Sequence, residues 1–183
     1  GLKGDIERAI TDTSAALAID PTLSMARRSR ASQYFAIGDF ERAIADFTTA
    51  IKLQPDMADA YLQRAIAHYF LKDYAKAIAD TTEAIRLKPD MADAHHYRGV
   101  ARYFQKDYQG AIADSTEAIR LNPNNAQAFI NRGNAYDDLK DHNKAIADYN
   151  EAIRLEPNNE RAYYNRGIAY NRLDKHQDSI RDY

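Results

Sequence analysis

The sequence predicts an all-α protein built from stacked antiparallel helical hairpins, and three observations carry this prediction. All five prolines lie 34 residues apart, at positions 21, 55, 89, 123 and 157. Between successive prolines, apolar residues recur every three or four positions in two consecutive segments, as in residues 58–71 and 74–87, which is the period of an amphipathic helix. A short polar break separates the two segments. Each repeating unit is therefore predicted to be two helices joined by a turn.

The predicted elements follow one another in a fixed order along a single array. Residues 1–23 hold a lone second helix, at about residues 5–19. Full two-helix repeats follow at residues 24–57, 58–91, 92–125 and 126–159, and a truncated repeat occupies residues 160–183. The breaks inside the hairpins contain polar pairs suited to a turn and to the start of a helix, namely Gly38-Asp39, Lys72-Asp73, Lys106-Asp107, Lys140-Asp141 and Asp174-Lys175.

These repeats resemble the tetratricopeptide repeat family over essentially the whole chain. The best match is the repeat at residues 126–159, with Phe129, Gly133, Tyr136, Ala145, Tyr149, Ala152 and Pro157 at the positions of the family motif. The resemblance implies an α-solenoid, a right-handed superhelix of hairpins that acts as a scaffold or adaptor and holds a protein or peptide in its concave groove. The Asn-Arg-Gly and Ala-Ile-Ala-Asp motifs resemble those of prokaryotic arrays, which favours a bacterial source.

The composition argues against several kinds of partner and site. A net charge of -2 and a pI near 6.2 give no general attraction to nucleic acid or to anionic lipid. No segment approaches the run of about 18 apolar residues that a membrane span needs. The absence of cysteine excludes disulfides and thiolate metal sites. We therefore expect no nucleic-acid partner and no membrane segment in this sequence.

Arginine and aspartate recur with the same period as the prolines. The recurring residues are Arg30, Arg64, Arg98, Arg132 and Arg166, together with Asp12, Asp46, Asp80, Asp114, Asp148 and Asp182. Residues that recur in every repeat are most simply explained by packing between repeats. We expect each arginine to form a bidentate ion pair with an aspartate, either across its own hairpin or across the junction with the preceding repeat.

Ligand-binding residues are expected where the sequence varies between repeats, on the face of the first helix that the family uses for its partners. In the second to fourth repeats these residues are Leu62, Ile66, Tyr69, Phe70, His96, Val100, Tyr103, Phe104, Ile130, Asn131 and Asn134. The same face continues with Asp137, Asp138, Arg161, Tyr164, Asn165, Ile168, Asn171 and Arg172. Its chemistry thus changes from apolar to amide and charged, which suits a peptide held by a few buried side chains and by backbone hydrogen bonds.

A packing interpretation of the aromatic residues on this face stays open. The family's usual tyrosine, one position before each aromatic pair, is replaced by His68 and Arg102 in the second and third repeats. The pairs Tyr69-Phe70 and Tyr103-Phe104 could therefore pack between neighbouring helices instead of contacting a ligand. Two repeats with exposed aromatic pairs would be costly without a partner that covers them, which favours the binding interpretation.

One binding mode known in the family is disfavoured. Its carboxylate clamp grips the C-terminal tail of a chaperone with Lys, Asn, Asn, Lys and Arg. From the third repeat onward the corresponding residues are His96, Val100, Asn131, Arg161 and Asn165, which fit the clamp only in part.

The sequence contains no pattern that indicates catalysis or a cofactor. Adjacent helical residues point about 100° apart, so His95 and His96 cannot chelate one ion together. His142 and His176 stand at recurring aromatic positions and are predicted to pack or to cap. We expect a non-enzymatic protein that binds a protein or peptide segment. The alternative is a module that forms homo-oligomers through its repeat ends, where Ile168, Tyr170 and Ile180 need cover.

Overall fold

The computed structural model describes residues 2–182, which form α-helices and no β-strand. In chain order the eleven helices of this range are α1 (Leu2–Ile19), α2 (Ser24–Ala36), α3 (Phe40–Leu53), α4 (Ala58–Phe70), α5 (Tyr74–Leu87), α6 (Ala92–Phe104), α7 (Tyr108–Leu121), α8 (Ala126–Asp138), α9 (His142–Leu155), α10 (Glu160–Arg172) and α11 (His176–Ile180). The predicted all-α array of helical hairpins is confirmed. None of these helices is long and apolar enough to cross a membrane.

In the hairpin turns that start α3, α5, α7 and α9, a left-handed residue is followed by an aspartate that caps the second helix, whereas Lys175 before α11 makes no side-chain cap. Gly38 has φ +79°, and Lys72 has φ +61° at the corresponding position of the next hairpin. The residue that follows is Asp39 or Asp73, whose carboxylate accepts a hydrogen bond from the backbone N–H three residues later. This cap satisfies one of the free N–H groups at the start of the second helix. The turn pairs predicted from the sequence thus start α3 and α5.

The chain divides into two compact units, Gly1–Pro89 and Asp90–Tyr183. In the first unit, α1 packs against α2, α2 against α3, α3 against α4 and α4 against α5. Its core is built around Phe47, which is fully buried against small residues such as Ala31 and Ala60. Small side chains at these recurring positions let the helices approach closely.

The second unit repeats this arrangement from α6 to α11. Its core contains Ile130 and Tyr149, which are almost completely buried. Gly133 lies against the Tyr149 ring, and a Cβ atom on Gly133 would be 2.7 Å from Tyr149 Cε1. Only glycine therefore fits beside this ring in its present position.

The recurring arginines pair with aspartates as expected, and each pair joins the two helices of one hairpin. Arg132 on α8 donates to both carboxylate oxygens of Asp148 on α9, at 2.9 and 2.7 Å. Arg132 also donates to the Thr116 hydroxyl on α7, in the preceding repeat. The same pairing over sixteen residues joins Arg30 to Asp46, Arg64 to Asp80, Arg98 to Asp114 and Arg166 to Asp182. The ion pair thus joins the two helices of one hairpin, whereas the contact between Arg132 and the preceding repeat is made through the Thr116 hydroxyl.

Candidate functional site

In the first unit, the predicted ligand-binding residues are largely engaged in packing. Leu62 and Ile66 are buried on α4. The Phe70 ring stacks on Phe40 with the ring centroids 4.9 Å apart, and it meets the edge of Phe35 at 6.0 Å. About half of Phe70 stays exposed, and Tyr69 contacts it edge to face. These rings join neighbouring hairpins, as the packing interpretation expects, and they leave one aromatic surface open.

In the second unit, three of the predicted residues line a half-open cavity of about 310 Å³ on the first helices α6, α8 and α10. These three are Tyr103, Phe104 and Asn134. The cavity is also lined by Tyr149 and by six residues that the sequence places on the continuation of this face, namely Asp137, Asp138, Arg161, Asn165, Ile168 and Arg172. Phe104 is 47% exposed and provides an aromatic surface at the cavity. The cavity therefore brings apolar, amide and charged side chains together.

The remaining predicted residues of this unit lie outside the cavity lining. Val100 is buried on α6, and Ile130 is fully buried on α8, so both serve the core. His96 and Asn131 form a polar pair between α6 and α8, with 3.5 Å between the ring nitrogen Nδ1 and the amide nitrogen. Burial lowers the pKa of His96, so its neutral ring can accept this hydrogen bond.

Two asparagines form the polar floor of the cavity. The Asn134 amide oxygen accepts hydrogen bonds from the Tyr149 hydroxyl and from the Asn165 amide nitrogen, each at 2.8 Å. Among the residues that the structure describes, the Asn134 amide nitrogen and the Asn165 amide oxygen have no hydrogen-bond partner. One free donor and one free acceptor are the groups that a peptide backbone needs.

Charged groups surround this floor and differ in how fully they are paired. The buried Asp137 carboxylate is held by His142 Nδ1 at 2.5 Å and by Arg172 of the next hairpin. Asp138 accepts a hydrogen bond from the Tyr103 hydroxyl at 2.7 Å, and burial raises the pKa of that phenol. Arg161 is exposed and forms no ion pair within residues 2–182. It is thus the cation of the cavity that is available for an external anion.

The His142 contact also explains why the packing here differs from the first unit. His142 and Asp137 stand where Phe40 and Phe35 form an aromatic contact in an earlier hairpin. At this hairpin turn a hydrogen bond between His142 and Asp137 therefore takes the position of the aromatic contact in the earlier hairpin. This is a structural contact within the hairpin, as predicted for the histidine.

Tyr149 lines the cavity, although from the sequence it is expected only as a residue of the repeat motif. It recurs with Phe47, Thr81 and Ser115, which are all buried. Its hydroxyl nevertheless reaches Asn134, so a core residue supports the polar floor. The signal in the sequence is the hydroxyl on a large ring, at a position that carries phenylalanine, threonine or serine in the preceding repeats. Within the described range no group of three His, Asp or Glu side chains is placed to hold a metal ion.

Comparison with known proteins identifies the repeat family. Models of the tetratricopeptide repeat match residues 28–91, 62–126, 126–159 and 148–181. Comparison with curated proteins finds no matching sequence.

Solved structures show the same fold. A crystal structure of MamA is 26% identical, with a TM-score of 0.78 over 83% of this chain and 89% of that chain. MamA 41-end from Desulfovibrio magneticus has a TM-score of 0.82 at 21% identity, over 87% of this chain and 90% of that one. YrrB, described as a TPR protein with an unusual peptide-binding site, has a TM-score of 0.78 at 18% identity, over 93% and 88% of the two chains. The chain belongs to the tetratricopeptide repeat family.

Proposed function

We propose that the chain is a protein-interaction module, not an enzyme, and that it holds an extended peptide segment on α6, α8 and α10. The observation that carries this proposal is the mixed cavity of about 310 Å³ on these first helices. Peptide sites typically combine an apolar anchor with a few well-placed polar groups. The peptide-binding site named for YrrB, which shares the fold, supports the same type of function.

The cavity suggests how each part of the peptide is held. Phe104 and Ile168 offer apolar surface to one buried side chain. The free donor of Asn134 and the free acceptor of Asn165 pair with the peptide backbone, which offers an acceptor and a donor in each residue. Arg161 pairs with a carboxylate of the peptide. The expected ligand is therefore an extended segment with an apolar residue and an acidic residue close together.

A peptide library provides the test because the partner is not needed in advance. Peptides selected on the wild-type protein are measured by calorimetry against the double variant Phe104→Ala/Arg161→Ala. Truncating an aromatic anchor and an arginine should together weaken binding by at least about tenfold. The matched control is Leu139→Ala/Arg154→Ala, which also removes a partly exposed apolar side chain and an exposed arginine. Equal loss in both double variants would argue against the cavity as the binding site.

Self-association is the competing proposal, and it rests on different side chains. Ile19 on α1 is 88% exposed and Ile180 on α11 is 67% exposed, the two highest values among the large apolar side chains that the structure describes. The companion residues Ile168 and Tyr170 on α10 are partly buried. Light scattering over a dilution series tests this proposal. A monomer at every concentration argues against it, and dissociation caused by Ile19→Lys or Ile180→Lys supports it.

A further inference from the structure

One position in the repeat carries a tyrosine in three repeats and a different residue in two. Tyr34, Tyr136 and Tyr170 occupy it in the first, fourth and fifth repeats, whereas His68 and Arg102 occupy it in the second and third. In two of the tyrosine repeats a cation from the second helix covers the ring. Arg42 lies 4.5 Å from the centroid of Tyr34, and the Lys144 ammonium lies 5.2 Å from the centroid of Tyr136.

In the second repeat a cavity lies beside His68, which occupies this position. The cavity has a volume of about 340 Å³ and is lined by Ile44, Thr48, Arg64, His68, Lys76, Ala79 and Asp80 of α3, α4 and α5. Lys76 stands at the same position of its repeat as Arg42 and Lys144. The second repeat therefore keeps the cation and has the shorter imidazole of His68 in place of the phenol ring. In the third repeat, by contrast, the guanidinium of Arg102 pairs with Asp114 and Asp107.

Most polar groups around the cavity are already engaged. Arg64 donates to both carboxylate oxygens of Asp80 and to the Thr48 hydroxyl. The Lys76 ammonium pairs with Asp73 at 2.7 Å. A charged ligand would thus find no unpaired charge of opposite sign among these groups, which disfavours an anion or a cation as the occupant.

His68 is the polar side chain that remains. It is only 8% exposed, and its Nε2 lies 4.0 Å from Asp80, beyond hydrogen-bond distance. Its ring has no hydrogen-bond partner among residues 2–182. Burial lowers the pKa of His68, so the ring is neutral near pH 7 and offers one donor and one acceptor. A ligand hydroxyl that reaches this ring could therefore form a hydrogen bond with it.

We infer that this cavity binds the side chain of a tyrosine from a partner protein. The ring lies beside His68, in the cavity next to the position that a tyrosine of the chain itself occupies in three other repeats. It packs against Ile44 and Ala79, its face meets the Lys76 cation, and its hydroxyl forms a hydrogen bond with His68. The site lies on α3, α4 and α5, so it is distinct from the peptide cavity proposed on α6, α8 and α10.

The test uses the whole chain and small tyrosine analogues. N-acetyltyrosinamide and p-cresol are titrated while the ring signals of His68 and the methyl signal of Ala79 are followed by NMR. Both compounds should shift these signals in a saturable way. N-acetylphenylalaninamide should bind about three- to tenfold more weakly, because it lacks the one hydrogen bond to His68. Absence of saturable shifts, or equal binding of the phenylalanine analogue, overturns the inference.

Two variants localise the binding to the cavity. His68→Tyr replaces the imidazole by the longer tyrosine side chain that three other repeats carry, and Ala79→Leu narrows the cavity without altering His68. Both should abolish the saturable shifts. Ala113→Leu, at the equivalent position of the next repeat, is the matched control and should bind like the wild type. Binding that survives both His68→Tyr and Ala79→Leu shows that the analogues bind elsewhere and overturns the assignment.

Discussion

Replacing Asp148 by asparagine removes one charge from the ion pair with Arg132 while keeping the shape of the side chain. The Asp148 residue is 5% exposed, and the Arg132 side chain keeps 19% of its surface exposed. Burial raises the pKa of Asp148, and the hydrogen bonds from Arg132 oppose this increase. The effect of burial is the larger of the two. The pair therefore lies where water solvates charge poorly, and a guanidinium without its partner is costly there.

The magnitude follows from this burial. Removing one member of a fully buried pair costs about 3–5 kcal/mol, and the remaining exposure of Arg132 reduces this to about 2–4 kcal/mol. For a chain of this size such a loss lowers the melting temperature by about 4–16 °C. The control is Asp39→Asn, which keeps the helix cap and removes an exposed pair with Arg42. That variant should lose only about 0.2–1 kcal/mol.

Urea denaturation followed by tyrosine fluorescence measures both variants, and amide exchange reports whether α8 and α9 open separately from the rest. Separate transitions are expected to be resolvable because each repeat contacts only its neighbours. If Asp148→Asn costs no more than Asp39→Asn, the recurring arginine–aspartate pairs do not stabilise the hairpins and the explanation given for their period is wrong.

Three further predictions concern other features of the fold. Gly133→Ala places a Cβ atom 2.7 Å from the Tyr149 ring and should destabilise the second unit by about 1–3 kcal/mol in urea denaturation; an unchanged midpoint would show that the ring moves freely. In Gly38→Ala no atom lies within 4 Å of the new Cβ, so the strain comes only from the left-handed backbone. We expect the free energy of unfolding to fall by about 1 kcal/mol in the same measurement. Burial lowers the pKa of His68 in the folded protein below its unfolded value of about 6.5. The protein therefore loses stability as the pH falls from the unfolded pKa through the folded pKa. Between about pH 7.5 and about pH 5.5, the melting temperature of His68→Tyr should therefore fall less than that of the wild type. Equal decreases in the two proteins would contradict this.

The periodic part of the fold could be predicted from the sequence because each repeat uses the same local signals. Helices predicted at residues 58–71 and 74–87 are found at Ala58–Phe70 and Tyr74–Leu87. The Asp39 cap and the Arg132–Asp148 pair were also predictable, since residue type and spacing are enough to bring these groups together. Packing and capping act over a single hairpin, and such short-range rules are visible in one sequence.

The candidate sites depend on residues that do not recur, and their partners could not be read from the sequence. Arg172 reaches Asp137 over 35 residues, the separation that also joins Tyr103 to Asp138, but the residue types at these positions change from repeat to repeat. The Tyr69-Phe70 and Tyr103-Phe104 pairs look alike in sequence, yet they make different contacts. In the first pair Phe70 stacks on Phe40, and in the second the Tyr103 hydroxyl donates a hydrogen bond to Asp138. The substitution of His68 for tyrosine was visible, but the volume that it leaves appears only when α3, α4 and α5 are assembled.

The central claim is that residues which vary between repeats form the binding site, and photo-crosslinking tests it most directly. The photoreactive amino acid p-benzoylphenylalanine is placed at Ile168, in the proposed cavity, or at Leu139, outside it. A tightly binding peptide from the library is then added, and the yield of crosslinked product is measured. Strong crosslinking from position 168 and only background from position 139 is the predicted result. Background crosslinking from position 168, with peptide binding intact, would contradict the account.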